Sequence, residues 1–147
     1  MRVLLAIDGS EQSEAAVDEV ARRHFPVDSE VRVISVADRG MSFYGEKSEK
    51  DEREQARAAI EKAVARLRAD EESLQFNITS EVLSGSPKRT ILEEAESFGA
   101  DLIVVGSHGH GELDRFLLGS VSQSVALHAK CSVEIVRRQK TLTSESK

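Results

Sequence analysis

One cysteine, Cys131, and no tryptophan occur among the 147 residues. A lone thiol excludes an intrachain disulfide and any zinc site built from several cysteines, which fits a reducing compartment. Long apolar runs are missing too. The opening Met1-Arg2-Val3-Leu4-Leu5-Ala6-Ile7-Asp8 meets a carboxylate after too few apolar residues for a signal-peptide core. No stretch approaches the roughly 18 apolar residues of a membrane helix. Basic charge is in the minority, though a local basic patch is compatible with the composition. Twenty Lys and Arg stand against 26 Asp and Glu, a net charge of −6, which argues against nucleic acid as the main partner. A small anionic ligand stays compatible with this charge, because main-chain N–H groups bind anions without basic side chains. The expectation is a cytoplasmic chain with no membrane or nucleic-acid partner.

What is present is an ordinary globular composition, 39% hydrophobic and 31% charged, at a length that suits one domain with its own core. Apolar runs from Val3 to Ile7 and from Leu102 to Val105 read as strands buried on both faces. Val31, Val33, Ile34 and Val36 mark a strand from about Glu30 to Ala37. Phe76, Ile78 and Ser80, leading to Val82 and Leu83, alternate with polar residues, as do Cys131, Val133 and Ile135, so these two strands belong at sheet edges. Between the strands lie helical patterns. The first starts at a Ser10 cap, carries Ala16, Val17, Val20, Ala21 and His24, and stops at Pro26. The second, from Glu49 to Glu72, carries Ala56, Ala59, Ile60, Ala63, Val64 and Leu67. A third runs from Pro87 to Gly99, and a fourth from Val121 to His128. The long loop from Asp38 to Lys50 holds Met41, Phe43 and Tyr44, read first as packing back on the domain and second as a ligand cover.

Strand and helix therefore alternate, which predicts an α/β fold. We expect a single open five-stranded parallel sheet of order 3-2-1-4-5 with helices on both faces, Rossmann-like in its winding. Strand order then reverses between strands 1 and 4, and ligands bind at the carboxyl ends there, marked by Asp8 and Gly106. Residues 1–137 form this domain, and 138–147 are a polar tail expected to be disordered.

The same place carries the glycine pattern. Gly106-Ser107-His108-Gly109, followed by Gly119-Ser120, reads G-x-x-G-x9-G-S between a strand and a helix start. Converging N–H groups and the positive end of a helix dipole make such a turn an anion site. It is not a Walker loop, and Asp8-Gly9-Ser10 lacks the three glycines of a dinucleotide fingerprint. His108 and His110 bracket Gly109, but no further ligand accompanies them, so solvated loop histidines are the commoner reading and the metal site stays unknown. Arg115 reads either as a cation that swings to the phosphates or as an exposed loop charge paired with Glu112 or Asp114. Phe116, Leu117 and Leu118 read as packing that anchors the loop, and Cys131 as a core filler with no cation to make it a thiolate.

From about Arg2 to Arg137 the chain resembles the universal stress protein family, in its ATP-binding branch. The resemblance rests on Val3-Leu4-Leu5-Ala6-Ile7-Asp8-Gly9-Ser10 and Val104-Val105-Gly106-Ser107-His108-Gly109, with Leu118-Gly119-Ser120-Val121-Ser122 and the closing Cys131 to Arg137. It implies the adenine nucleotide alpha hydrolase-like sheet described above, and ATP as ligand, with Mg or Mn as an accompanying ion. The family's branch that does not bind ATP lacks the complete glycine motif. By position, Gly106, Gly109, Gly119 and Ser120 would hold the triphosphate, with His108 beside it. Asp8 would face the ribose and phosphates, where its alternative is a plain turn or cap residue. The main chain near Val36 would meet the adenine edge. The resemblance further implies a homodimer through the C-terminal edge strand. There this chain has Ser132 and Glu134 where the family commonly has proline and an apolar residue. The implied function is a nucleotide-dependent regulator or sensor in stress response rather than an enzyme. A slow ATP hydrolase or autophosphorylating protein, and a nucleotide-independent dimeric scaffold, are the alternatives.

Overall fold

The computed structural model describes residues 1–38, 48–69, 76–108 and 118–138. Strands β1 (Arg2–Ala6), β2 (Ser29–Asp38), β3 (Phe76–Gly85), β4 (Leu102–Gly106) and β5 (Ser132–Val136) alternate with helices α1 (Glu11–Arg22), α2 (Glu49–Leu67), α3 (Pro87–Phe98) and α4 (Ser120–His128). The strands form one parallel sheet of order β3-β2-β1-β4-β5, as the pattern of apolar runs predicts.

Period-two side chains sort the core into two layers. Val3 and Leu5 of β1, Val31 and Val33 of β2, and Leu102 and Val104 of β4 pack under α1 and α2. Leu4, Ala6, Ile34, Ile103 and Val105 pack under α3 and α4 with Ile91, Phe98 and Val125. β1 and β4 are the most deeply buried strands because both faces of each are covered. Edge strand β5 differs from its one-sided reading. Val133 and Ile135 join the α3/α4 layer while Val136 joins the α1/α2 layer. Glu134 turns onto the α1 side, where both its oxygens accept from the Arg23 guanidinium at 2.5 Å.

Two helix ends depart from the periodic reading. α1 stops at Arg22, and Arg23 is an extended C-cap whose N–H donates to the Val20 carbonyl. The chain before Pro26 is thereby biased away from helical geometry. His24 is exposed, and Phe25 enters the core instead, edge-on to Phe76 with ring centroids 5.6 Å apart. α2 ends at Leu67 with Arg68 as its C-cap, short of the Glu72 expected from the periodicity, and its N-terminus is closed by a capping box between Ser48 and Asp51. α3 ends as expected on Gly99 in the left-handed region, at φ 72°. Met41, Phe43 and Tyr44 lie outside the described residues, as do 109–117 and 139–147.

Candidate functional site

A cavity of about 1030 Å³ opens at the carboxyl ends of β1 and β4, where the strand order reverses. That volume sits at the upper end of ordinary small-molecule sites, roughly 300–1,000 Å³. Asp8, Val36, Gly106, His108, Gly119 and Ser120 all line it, so six of the seven residues singled out by sequence share one space. Gly109, the seventh, lies outside the described residues, as do His110 and Arg115. The cavity also runs between α1 and α2, lined there by Glu14, Asp18, Lys62 and Arg66.

The turn from β1 into α1 is held by short polar side chains. Gly9 takes φ 84°, which an L side chain adopts only with strain. Asp8 Oδ1 accepts from the Ser10 N–H at 2.9 Å, so the turn-residue reading of Asp8 is realised while its side chain also borders the cavity. Ser13 Oγ accepts from the N–H groups of Asp8 and Gly9, at 3.1 and 3.2 Å, and Ser10 Oγ caps the Ser13 N–H at 3.2 Å. The start of α1 thus carries a side-chain cap from Ser10, beside a turn tied down by Asp8 and Ser13.

The start of α4 is arranged differently. Gly119 is its N-cap and supplies no side-chain acceptor. The first intrahelical bond runs from the Gln123 N–H to the Gly119 carbonyl at 3.0 Å. The N–H groups of Ser120, Val121 and Ser122 precede it and have no helical partner, and all three residues line the cavity. The Gly119 N–H donates to the Ser107 carbonyl at 2.8 Å, and Ser122 Oγ donates to the same carbonyl at 2.7 Å. Both ends of the glycine loop are therefore pinned together behind the α4 terminus.

The glycines have structural reasons beyond approach to an anion. A Cβ on Gly106 would lie 2.7 Å from the main-chain carbon of Gln12 and 2.9 Å from the Ser13 nitrogen, so α1 sits directly against it. A Cβ on Gly119 would lie 2.9 Å from the Cα of His108. Sequence reasoning missed the residues behind these contacts: Gln12, Ser13, Ser107 and Ser122.

Charge around the cavity constrains what it takes. Among the described residues five carboxylates line it (Asp8, Glu14, Asp18, Asp38 and Glu52) against two cationic side chains, Lys62 and Arg66. Both cations are already paired, Lys62 with Glu14 at 2.6 Å and Arg66 with Asp18 at 3.0 Å. No group of three or more His, Cys, Asp or Glu suited to a metal occurs among the described residues.

The base-binding side has a backbone edge to offer. The β1–β2 ladder ends at Ala6 and Ile34, with the Ile7 N–H on the Ile34 carbonyl at 2.9 Å, while β2 continues to Asp38. In a parallel strand alternate residues direct both main-chain groups to the same side. The N–H and C=O of Val36 therefore face the β1 side just past the end of that ladder.

A parallel sheet of order β3-β2-β1-β4-β5 with helices on both faces and a cavity at its switch point defines a doubly wound, Rossmann-like class of α/β domain. The comparisons agree with that class. The model of the universal stress protein family matches residues 1–137, and the chain belongs to this family. A family relative from Staphylococcus epidermidis is 33% identical over 93% of this chain and 84% of its own length. The structure of the universal stress protein UspA from Lactobacillus plantarum is 26% identical with a TM-score of 0.70, covering 93% of this chain and 97% of that one. A universal stress protein solved in complex with cAMP is 26% identical with a TM-score of 0.68, covering 92% and 95%. Among the described residues no helix is long and apolar enough to cross a membrane.

Proposed function

We propose that this chain is an ATP-binding member of its family that acts as a nucleotide-dependent regulator or sensor in the cytoplasmic stress response. The observation that carries the reading is the start of α4, glycine-capped and opening on the switch-point cavity beside Gly106 and His108. Its N–H groups and dipole suit a phosphate group, with Ser120 Oγ as a further donor and Gly109 completing the motif. Val36 offers a donor and an acceptor side by side, the pairing an adenine edge requires, and the family relative holding cAMP supports adenine as the base. Asp8 and the phosphate oxygens together would hold Mg or Mn, since such ions are commonly bound by one or two carboxylates plus phosphates. The ion would offset the excess of carboxylates around the cavity.

The binding domain is residues 1–137, with 138–147 as its tail. β5 presents the outer edge of the sheet, a template for an antiparallel partner, and we assign the homodimer contact to it. Glu134 is no obstacle there, because its side chain is turned onto Arg23 and not outward along the edge. A monomeric mass by sedimentation at micromolar concentration argues against that contact. No turnover is assigned to the bound nucleotide.

The site itself is tested with Gly119→Val. The added side chain meets His108 at the mouth of the cavity and displaces the loop from the α4 terminus. ATP affinity measured by calorimetry should be lost while the far-UV circular dichroism spectrum stays that of the parent. Unchanged affinity sinks the assignment.

A further inference from the structure

Ser107 is 1% exposed and joins four parts of the molecule. Its N–H donates to the Val136 carbonyl at the end of β5, and its own carbonyl takes the two donors from α4 already described. Its hydroxyl lies 3.2 Å from Gln12 Oε1 and 3.1 Å from His108 Nδ1. A hydroxyl has a single proton to give to these two neighbours.

The main chain of Arg138 decides where that proton goes. The Arg138 N–H donates to Gln12 Oε1 at 2.8 Å, and because an N–H only donates, the amide must turn its oxygen this way. That same oxygen is the one in contact with Ser107 Oγ. Two oxygens at hydrogen-bond distance need a proton between them, and an amide carbonyl brings none. The Ser107 proton therefore lies toward Gln12. The contact between Oγ and His108 Nδ1 must then draw its proton from the imidazole.

We infer that Gln12 is a positioning residue that sets the tautomer of His108. It holds the neutral ring with Nδ1 protonated, so that Nε2, on the side turned away from Ser107, bears the lone pair. His108 lines the cavity, and the ring there accepts a hydrogen bond instead of donating one. The consequence for binding rests on the reading of this cavity as a nucleotide site. On that reading neutral His108 selects an N–H or O–H donor of the ligand and not a bare phosphate oxygen. The order of protons is set from Arg138, just past β5, so the histidine is tied to the exit of the edge strand.

Long-range nitrogen–proton NMR on the full chain reads this directly, because the protonated and unprotonated nitrogens of neutral imidazole have well-separated shifts. The signals of His108, one of four histidines, are identified by their loss in His108→Gln. The parent protein without nucleotide should show the Nδ1–H form at a pH above the histidine range, and the Nε2–H form overturns the inference. In Gln12→Leu the Ser107 proton turns to Nδ1 and the two shifts exchange. In Gln12→Glu, which keeps an acceptor in place, they do not. A leucine variant that keeps the parent pattern is equally fatal. Titration with ATP then separates this inference from the site assignment. Gln12→Leu should bind ATP about threefold to tenfold more weakly, the scale of one hydrogen bond. Equal affinity with an exchanged tautomer removes the role in binding. Absence of ATP binding by the parent protein removes the site but leaves the tautomer result standing.

Discussion

α1 and α4 both begin at the same cavity, and their first turns are built in opposite ways. At α1 the chain supplies its own side-chain cap. Ser10 caps Ser13, Ser13 Oγ gathers the N–H groups of Asp8 and Gly9, and Asp8 closes back on Ser10. At α4 the cap is Gly119, which has no side chain to offer. The difference shows a division of labour between two chemically similar ends. One is capped within a turn that places a carboxylate, and the other, under the function proposed here, leaves its first donors to the ligand.

The contrast is broken most severely where both ends depend on one contact. Gly106 lets the first turn of α1 rest on the end of β4, and its missing Cβ would meet main-chain atoms of Gln12 and Ser13. Main chain cannot swing aside as a flexible side chain can. Gly106→Ala should therefore lower the unfolding free energy by about 2–3 kcal/mol in urea denaturation, the scale of overpacking. A loss below half of that means α1 tolerates a shift and is not a fixed wall of the cavity.

Closing the open end comes next in size. Ser120 is exposed and opens α4, so Ser120→Asp fills the terminus with a charge of its own. Stability should hold or rise by about 0.3–1 kcal/mol through the helix dipole. Affinity for ATP should fall about tenfold from repulsion between neighbouring negative charges in a partly screened setting. Opposite signs in the two measurements sharpen the comparison. A parallel loss in both would mean the α4 terminus is structural like that of α1. Opening the closed end is the converse. Ser13→Ala leaves the Asp8 and Gly9 N–H groups without their acceptor and should cost about 1–2 kcal/mol by the same denaturation.

These variants also mark what was legible in the chain itself. The sheet order followed from which apolar runs were continuous and which alternated, because burial on two faces or one is written in the period of a strand. The Gly106 and Gly119 pattern pointed to the cavity, and the structure adds a packing reason for each glycine. Their lack of a side chain serves contacts with Gln12 and His108, which no spacing reveals. Ser107 and Gln12 stayed invisible because their partners lie 95 and 126 positions away in the chain, and a serine or glutamine carries no signature of its own. His24 was misplaced for a local reason. Helical spacing continues on paper past Arg22, but the residues before a proline leave the helix, and Phe25 takes the buried place.

The smallest effect is expected at the opposite end of the sheet, which serves as the reference for both helix termini. Cys131 precedes β5, packs against the α3/α4 layer, and lies at the amino end of a parallel sheet whose carboxyl ends carry the cavity. Burial, reinforced by the charge of Asp101, raises its thiol above the ordinary range. Only the thiolate reacts with alkylating reagents. Iodoacetamide at pH 8 should therefore modify Cys131 more slowly than a free thiol, whose pKa is about 8.5. The sign for stability follows from the same shift. The folded state favours the neutral thiol, so this contribution is complete below the unfolded pKa and is lost as pH rises through the higher folded value. Saturating ATP should leave the alkylation rate unchanged, since Cys131 lies at the amino end of the sheet and the α4 terminus at its carboxyl end. A rate that changes severalfold with nucleotide would show that loading the open helix end is felt along the whole edge strand.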